Sequence, residues 1–149
     1  MKKKSLIVFM IMAVLAAMCF TACGKSAQPT LESYLNDHPD IQASIDEQLG
    51  SDELKNITVE FKGNDMIYTY DLAGVESVTE EQAKSDEVKQ KLQEGLDAQT
   101  ESFKTTANSV LAAVNEDGAG IESINMVVNY VYGDEVVATG TFTSDPAGE

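Results

Sequence analysis

Two pairs of alternating segments on either side of a long helical stretch constrain the fold of this chain more than any other feature. The first pair covers residues 56–62 and 66–72 and is separated by Gly63-Asn64. The second pair covers residues 124–132 and 136–142 and is separated by Gly133-Asp134. Alternation of apolar and polar residues predicts strands with one buried face, and a short glycine-containing break predicts a hairpin turn. We therefore expect two β-hairpins.

The stretch between the two pairs, residues 79–115, has the pattern of one long amphipathic helix. Thr79 followed by Gln82 forms a capping-box signature at its start, and the glycines at positions 118 and 120 end it. An apolar stripe recurs mostly in steps of three and four and comprises Val88, Leu92, Leu96, Gln99, Phe103, Ala107, Val110, Leu111 and Val114. Such a stripe predicts a helix with one face on the core.

Two short helices precede the first hairpin. Thr30 is a suitable N-cap for the first, which carries Leu31, Tyr34 and Leu35. Pro39 suits the first turn of the second, and Gly50 ends it. The predicted fold class is therefore α+β: an antiparallel four-stranded sheet made of two hairpins, packed on one long amphipathic helix, with short N-terminal helices. Residues 30–149 form this single domain.

The N-terminal segment resembles an export signal. Lys2, Lys3 and Lys4 precede an apolar run of about fifteen residues, which is shorter than the roughly twenty that a permanent bilayer span requires. Small residues then lead to Cys23, as in the lipobox of bacterial lipoproteins. We expect residues 1–22 to be a signal peptide, Cys23 to carry lipid as the first mature residue, and residues 23–29 to form a tether of at most ~20 Å. The protein would then lie on the outer face of the bacterial cell membrane.

The arrangement of lipobox, linker, Thr30-Leu31-Glu32-Ser33-Tyr34, the strand residues 66–70, the long helix and a final strand pair is similar to a family of small Gram-positive lipoproteins. That family is classed as a domain of unknown function, number 4854. The resemblance implies an α+β surface domain on a lipid anchor, and it brings no catalytic residues.

Charge and cysteine content exclude several classes of function. The chain contains no arginine, and its 149 residues carry a formal net charge of −15. Loss of the first 22 residues would remove three of the ten lysines and none of the 25 acidic residues, so the net charge would become −18. Such a chain repels phosphate backbones, so no nucleic-acid partner is expected. With Cys19 removed and Cys23 lipidated, the domain has no thiol for a disulfide, a nucleophile or a metal.

Few side chains are candidates for chemistry. His38, the single histidine, lies beside a proline turn and is interpreted as a helix-boundary residue rather than as a catalyst or a ligand. Asn64-Asp65 and residues 115–118 contain oxygen ligands, but they lack the spacing of a calcium loop and fit turn chemistry better. No Ser-His-Asp order, phosphate loop or zinc signature occurs, so no cofactor, metal or catalytic residue is expected.

Four tyrosines form two pairs on strands, Tyr68 with Tyr70 and Tyr130 with Tyr132. An aromatic ladder that binds a sugar or a peptide is one interpretation. Because the four share the parity of the apolar face, core packing is the preferred one.

The sequence therefore favours a non-enzymatic domain that binds a protein or a component of the cell envelope. The expected contact surface is the polar sheet face or a strand edge, with Asn129, Thr139 and Thr141. A small-ligand or cation carrier is the alternative, and a cell-wall hydrolase is the third and weakest hypothesis.

Overall fold

The computed structural model describes residues 29–49 and 56–146. Helices α1 (Leu31–Asp37) and α2 (Pro39–Leu49) come first, followed by strands β1 (Ile57–Lys62) and β2 (Asp65–Asp71). Three helices then follow, α3 (Glu80–Ala83), α4 (Asp86–Ala98) and α5 (Thr100–Glu116), before the strands β3 (Asn125–Tyr132) and β4 (Glu135–Thr143). The α+β class is confirmed, with one four-stranded sheet and several helices.

The sheet has the order β1-β2-β3-β4, and its central pair is parallel. Strands β1 and β2 pair antiparallel, as do β3 and β4. The prediction of a sheet that is antiparallel throughout, described by two hairpins alone, is therefore wrong at β2 and β3. The physical reason is the connection, because the helical segment carries the chain back to the end of the sheet where β2 began, as a parallel pair requires.

The long helix is also divided, and the prediction of one continuous helix is wrong. The Ser85 hydroxyl accepts a hydrogen bond from the Val88 amide at 3.3 Å and caps α4. Gln99, with φ −103° and ψ 7°, separates α4 from α5. The predicted Thr79–Gln82 capping box is confirmed, but it starts only the single turn α3.

The core lies between one face of the sheet and the helices. Helix α5 buries a stripe that contacts this face, and α1 buries a second group of side chains beside it. The rings of Phe103 on α5 and Phe142 on β4 lie 4.6 Å apart, which shows how closely helix and sheet approach. The buried residues of these elements include Leu31, Tyr34, Leu35, Met66, Tyr68, Phe103, Ala107, Val110, Leu111, Val114, Met126, Val128, Ala138 and Phe142.

Strand β4 departs from simple alternation near its start. Tyr130 pairs with Ala138 while the next residue, Val131, pairs with Val136, so Val137 is an extra residue. Val137 is buried and Val136 is 53% exposed. Continuous alternation with Ala138 and Phe142 would bury Val136 and expose Val137. The prediction fails because one extra residue inverts the alternation for the side chain that precedes it.

Candidate functional site

The face of the sheet turned away from the helices carries most of the candidate binding residues. We call it the outer face. It comprises Thr58, Glu60 and Lys62 of β1, Asp65, Ile67, Thr69 and Asp71 of β2, Asn125, Val127, Asn129 and Val131 of β3, and Val136, Thr139, Thr141 and Thr143 of β4. Alternation places these side chains together, because their neighbours in sequence enter the core.

One row of side chains crosses all four strands in register. Thr58 pairs with Thr69, Thr69 with Asn129, and Asn129 with Thr139. The Thr139 hydroxyl donates a hydrogen bond of 2.7 Å to the Asn129 side-chain oxygen. This central row contains no charged residue, and its groups both donate and accept hydrogen bonds.

The structure brings together the three predicted contact residues, Asn129, Thr139 and Thr141. The first two hydrogen-bond to each other, and Thr141 lies two residues farther along the exposed side of β4, where it pairs with Val127. Aliphatic pairs lie on each side of the central row. Ile67 pairs with Val127 on one side, and Val131 with Val136 on the other.

Charged groups lie toward the two ends of the outer face. At one end Lys62 and Glu60 form an exposed ion pair of 2.7 Å. At the other end lies Asp71, whose carboxylate accepts hydrogen bonds from the Ala73 amide at 2.9 Å and from the Gly133 amide at 3.3 Å. The exposed Lys62–Glu60 pair contributes little to stability, so it marks a limit of the neutral region more than it holds the fold.

The first of these ends also contains a chain of hydrogen bonds across three strands. Thr143 donates to the Asn125 side-chain oxygen at 2.8 Å, and the Asn125 amide donates to Asp65 at 2.7 Å. The Asn64 side-chain oxygen accepts the Leu31 amide at 3.0 Å. Asn64 and Asp65 therefore serve the turn and the sheet, in agreement with the turn interpretation of this sequence.

The turn at residues 115–118 also uses its polar side chains to hold the fold. The Asn115 side chain exchanges two hydrogen bonds with the backbone of Ile121, at 2.7 and 2.8 Å. Asp117 accepts a hydrogen bond of 2.9 Å from the Tyr34 hydroxyl. Within residues 29–49 and 56–146, no group of three or more His, Cys, Asp or Glu is placed to hold a metal ion.

The tyrosines do not form a ladder on the outer face. Tyr68 is 2% exposed, and Tyr70 and Tyr130 pack against the core with ring centroids 5.2 Å apart. Burial raises the pKa of all three hydroxyl groups. The core interpretation is therefore correct for these three, and a ligand on the outer face does not reach them.

His38 lies between α1 and α2. Its ring stacks on Tyr34 with centroids 4.2 Å apart, and its Nδ1 lies 2.7 Å from the Tyr34 carbonyl oxygen. These contacts agree with the interpretation of His38 as a helix-boundary residue.

A second surface was not found from the sequence. A groove with a volume of about 420 Å³ lies between β1 and the N-terminal helices. Residues 59–62 form one wall, and Glu32, Leu35, Asn36 and Gln42 contribute the other. The alternation of β1 indicated which side chains face the core, but no local pattern shows that α1 lies beside this strand.

The lipidation candidate Cys23 lies outside the described residues, as do residues 1–22 and most of the tether. Among the helices that the structure describes, none is both long and apolar enough to cross a bilayer.

Residues 31–142 match the model of the family described as Domain of unknown function (DUF4854). The match spans most of the chain, so this protein belongs to that family. Neither a search of curated proteins nor a search of solved structures found a match.

Proposed function

We propose that this protein is a lipid-anchored domain on the outer side of the bacterial membrane that binds a protein or cell-envelope partner without catalysing a reaction. The observation that carries this proposal is the neutral central row of the outer face, Thr58, Thr69, Asn129 and Thr139, in a chain of net charge −15.

Desolvation explains why this region suits binding. Covering a charged group removes it from water at a cost that only a well-placed partner offsets. A threonine or asparagine side chain costs less to cover, and it keeps its hydrogen bonds if the partner offers donors and acceptors. The aliphatic pairs beside the row add apolar area that stabilises a complex when it is covered. A partner therefore covers the outer face at a lower desolvation cost than it would the charged parts of this acidic surface.

The sequence before the domain supports the anchor. A positive start, an apolar run of about fifteen residues and small residues before Cys23 fit a lipoprotein signal. The tether from Cys23 reaches the domain at Pro29, whose ring lies against Gly120 near the start of β3. This end of the domain also holds the turn between β1 and β2, since α1 starts there with a hydrogen bond from Leu31 to Asn64. The outer face would extend away from the membrane from that end.

Alanine substitution of Asn129, Thr139 and Thr141 in the full chain tests the binding surface. We expect capture of the partner from intact cells to fall at least tenfold, while the melting temperature falls by only a few degrees, because Thr139 and Thr141 are exposed and the half-buried Asn129 loses a single hydrogen bond. Thr105→Ala is a matched control, since Thr105 is an exposed threonine on α5. Unchanged capture by the triple variant would rule out the outer face as the site.

The anchor has its own test. A Cys23→Ala variant should lose incorporation of a radiolabelled fatty acid and appear in the medium or as the unprocessed precursor. If this variant incorporates the label as the native chain does, Cys23 is not the lipidated residue.

A further inference from the structure

The groove beside β1 runs along an edge of the sheet. Among the described residues, β1 is the first strand in the order and pairs only with β2. Residues 59–62 all line the groove, although consecutive residues of a strand point to opposite faces. A groove that contacts four consecutive residues must therefore follow the edge of the strand rather than either face of the sheet.

The strand edge offers hydrogen-bonding groups to the groove. An edge strand directs alternate N–H and C=O groups away from its neighbour, and these groups template the addition of another strand. In the part of the chain that the structure describes, no other segment donates a backbone hydrogen bond to residues 58–61 or accepts one from them apart from β2. An extended polypeptide satisfies such a row of groups in full.

Helix α1 is held at a fixed distance from this edge. The Glu32 amide donates to the Gly63 carbonyl oxygen at 2.9 Å, and the Gly63 amide donates to the Glu32 carboxylate at 2.7 Å. These reciprocal bonds fix the start of α1 to the turn that ends β1. The groove is therefore closed at the turn, where the fold fixes the position of α1.

The side chains of the groove define the chemistry of the occupant. Leu35, Val59 and Phe61 supply an apolar floor, of which Val59 and Phe61 are half-buried. Glu32 and Glu60 carry two negative charges against the single positive charge of Lys62. An acidic segment is repelled here and by the net charge of the chain, whereas a neutral or basic one is not.

We propose that this groove binds an extended peptide segment of a partner protein by strand addition to β1. The segment alternates apolar residues, which contact Val59 and Phe61, with neutral polar or basic residues, which lie near Glu32 and Glu60. Backbone hydrogen bonds supply affinity and the alternate side chains supply specificity, as in other cases of strand addition. This site goes beyond the function proposed above, because it uses none of the residues Asn129, Thr139 and Thr141.

A second copy of this chain fits the groove poorly. Edge-to-edge pairing of two β1 strands would place two α1 helices and two Glu60 carboxylates close together, in chains that each carry a net charge of −15. A single strand of a neutral or basic partner meets neither obstacle.

The test uses the full chain in detergent micelles and a pool of fluorescent heptapeptides in which valine, isoleucine or leucine alternates with threonine, serine or lysine. Fluorescence anisotropy measures binding, and hydrogen–deuterium exchange locates it. We expect saturable binding by members of the pool and slower amide exchange in residues 57–62. The same peptides with alternate backbone nitrogens methylated should bind at least tenfold more weakly, because their side chains and charge are kept while the backbone donors are lost.

Two protein variants complete the test. Asn36→Trp places a large side chain in the groove and should weaken binding at least fivefold, whereas Ala112→Trp, on an exposed position of α5, should not. The triple alanine variant of the outer face should bind the peptides as the native chain does, which separates this site from the one proposed above. Absence of binding by every peptide, equal binding of the methylated peptides, or slowed exchange that leaves β1 unaffected would overturn the proposal. Dimers formed through β1, detected by light scattering, would also overturn it.

Discussion

The hydroxyl group of Tyr34 donates a hydrogen bond of 2.9 Å to the Asp117 carboxylate, and so joins α1 to the end of α5. Tyr34 is 8% exposed, and its ring stacks on His38. Burial, together with the hydrogen bond and the charge of Asp117, raises the pKa of this hydroxyl group. The contact fixes the N-terminal helix to the body of the domain, and the groove beside β1 depends on the position of that helix.

Tyr34→Phe keeps the packing of the ring and removes this hydrogen bond. We expect a loss of about 1–2 kcal/mol in the free energy of unfolding, since hydrogen bonds to charged groups exceed neutral ones in strength. Urea denaturation followed by circular dichroism measures the change. A loss below about 0.3 kcal/mol would mean that the Tyr34–Asp117 contact does not hold α1 in place.

Replacement of Tyr68 by phenylalanine should have the opposite effect on stability. The Tyr68 side chain is buried in the core, and its hydroxyl group has no hydrogen-bond partner among the described residues. A buried hydroxyl without a partner costs free energy that a hydrogen atom does not. Tyr68→Phe should therefore leave the melting temperature unchanged or raise it, with Tyr34→Phe as the matched comparison. A fall of several degrees for Tyr68→Phe would show that the hydroxyl bonds to a group inside the folded protein.

The buried tyrosines predict a decrease of stability at alkaline pH. The pKa values of Tyr34, Tyr68, Tyr70 and Tyr130 are all raised, mainly by burial. In the unfolded chain these hydroxyl groups titrate near pH 10. Above that pH the unfolded state loses protons that the folded state still holds, so stability is complete below about pH 10 and falls as the pH rises further.

Melting temperatures measured from pH 8 to pH 12 check this sign. Lysines whose pKa is raised by ion pairs, such as Lys84, act in the same direction. Tyr70→Phe isolates the tyrosine contribution, because this variant should lose less stability between pH 9 and pH 12 than the native chain does. A melting temperature that stays constant up to pH 12 would contradict the prediction.

Alanine substitution should change the stability in opposite directions at two glycines. A Cβ atom at Gly140 on β4 would lie 2.8 Å from the Phe142 ring, which is buried and held by Phe103. Overpacking of this kind costs about 1–3 kcal/mol. At Gly95, inside α4, a Cβ atom meets nothing within 4 Å, so Gly95→Ala should gain about 1 kcal/mol from helix propensity. The denaturation midpoint should thus fall for Gly140→Ala and rise for Gly95→Ala. A shift of both midpoints in the same direction would contradict this prediction.

Much of the local structure follows from nearest-neighbour chemistry. Thr30 and Thr79 form the predicted caps, and the turns at Gly63 and Gly133 adopt positive φ angles of 60° and 59°. The break at Ser85 had a local signal as well, because a serine followed by Asp86 and Glu87 is a typical helix start. The break at Gln99 had none, since Gln99 continues the apolar spacing of the stripe.

The features that could not be predicted depend on contacts between distant segments. Alternation specifies the face of a strand but not its direction, so the pairs Met66–Met126 and Tyr70–Tyr130 fit a parallel arrangement as well as an antiparallel one. The bulge at Val137 has no signal in the composition of β4, yet it places Val136 on the opposite face of the sheet. The sequence did indicate Asn129, Thr139 and Thr141 as surface residues, because period-two alternation after Ala138 survives the bulge. The groove depends on the Glu32–Gly63 contact, which joins residues 31 positions apart.

The proposed role of the outer face has a direct test in living cells. A photo-reactive amino acid is placed at Thr141 of the full chain, and at Thr105 on α5 as a matched exposed control, and both strains are irradiated before the protein is recovered. The measurement is the ratio of crosslinked partner at the two positions. We predict a discrete crosslinked product at Thr141 in at least tenfold excess over Thr105, which is lost in a Cys23→Ala background. Equal yields at the two positions, or no product at Thr141 while other surface positions crosslink, would contradict the proposal that the outer face binds a partner at the membrane.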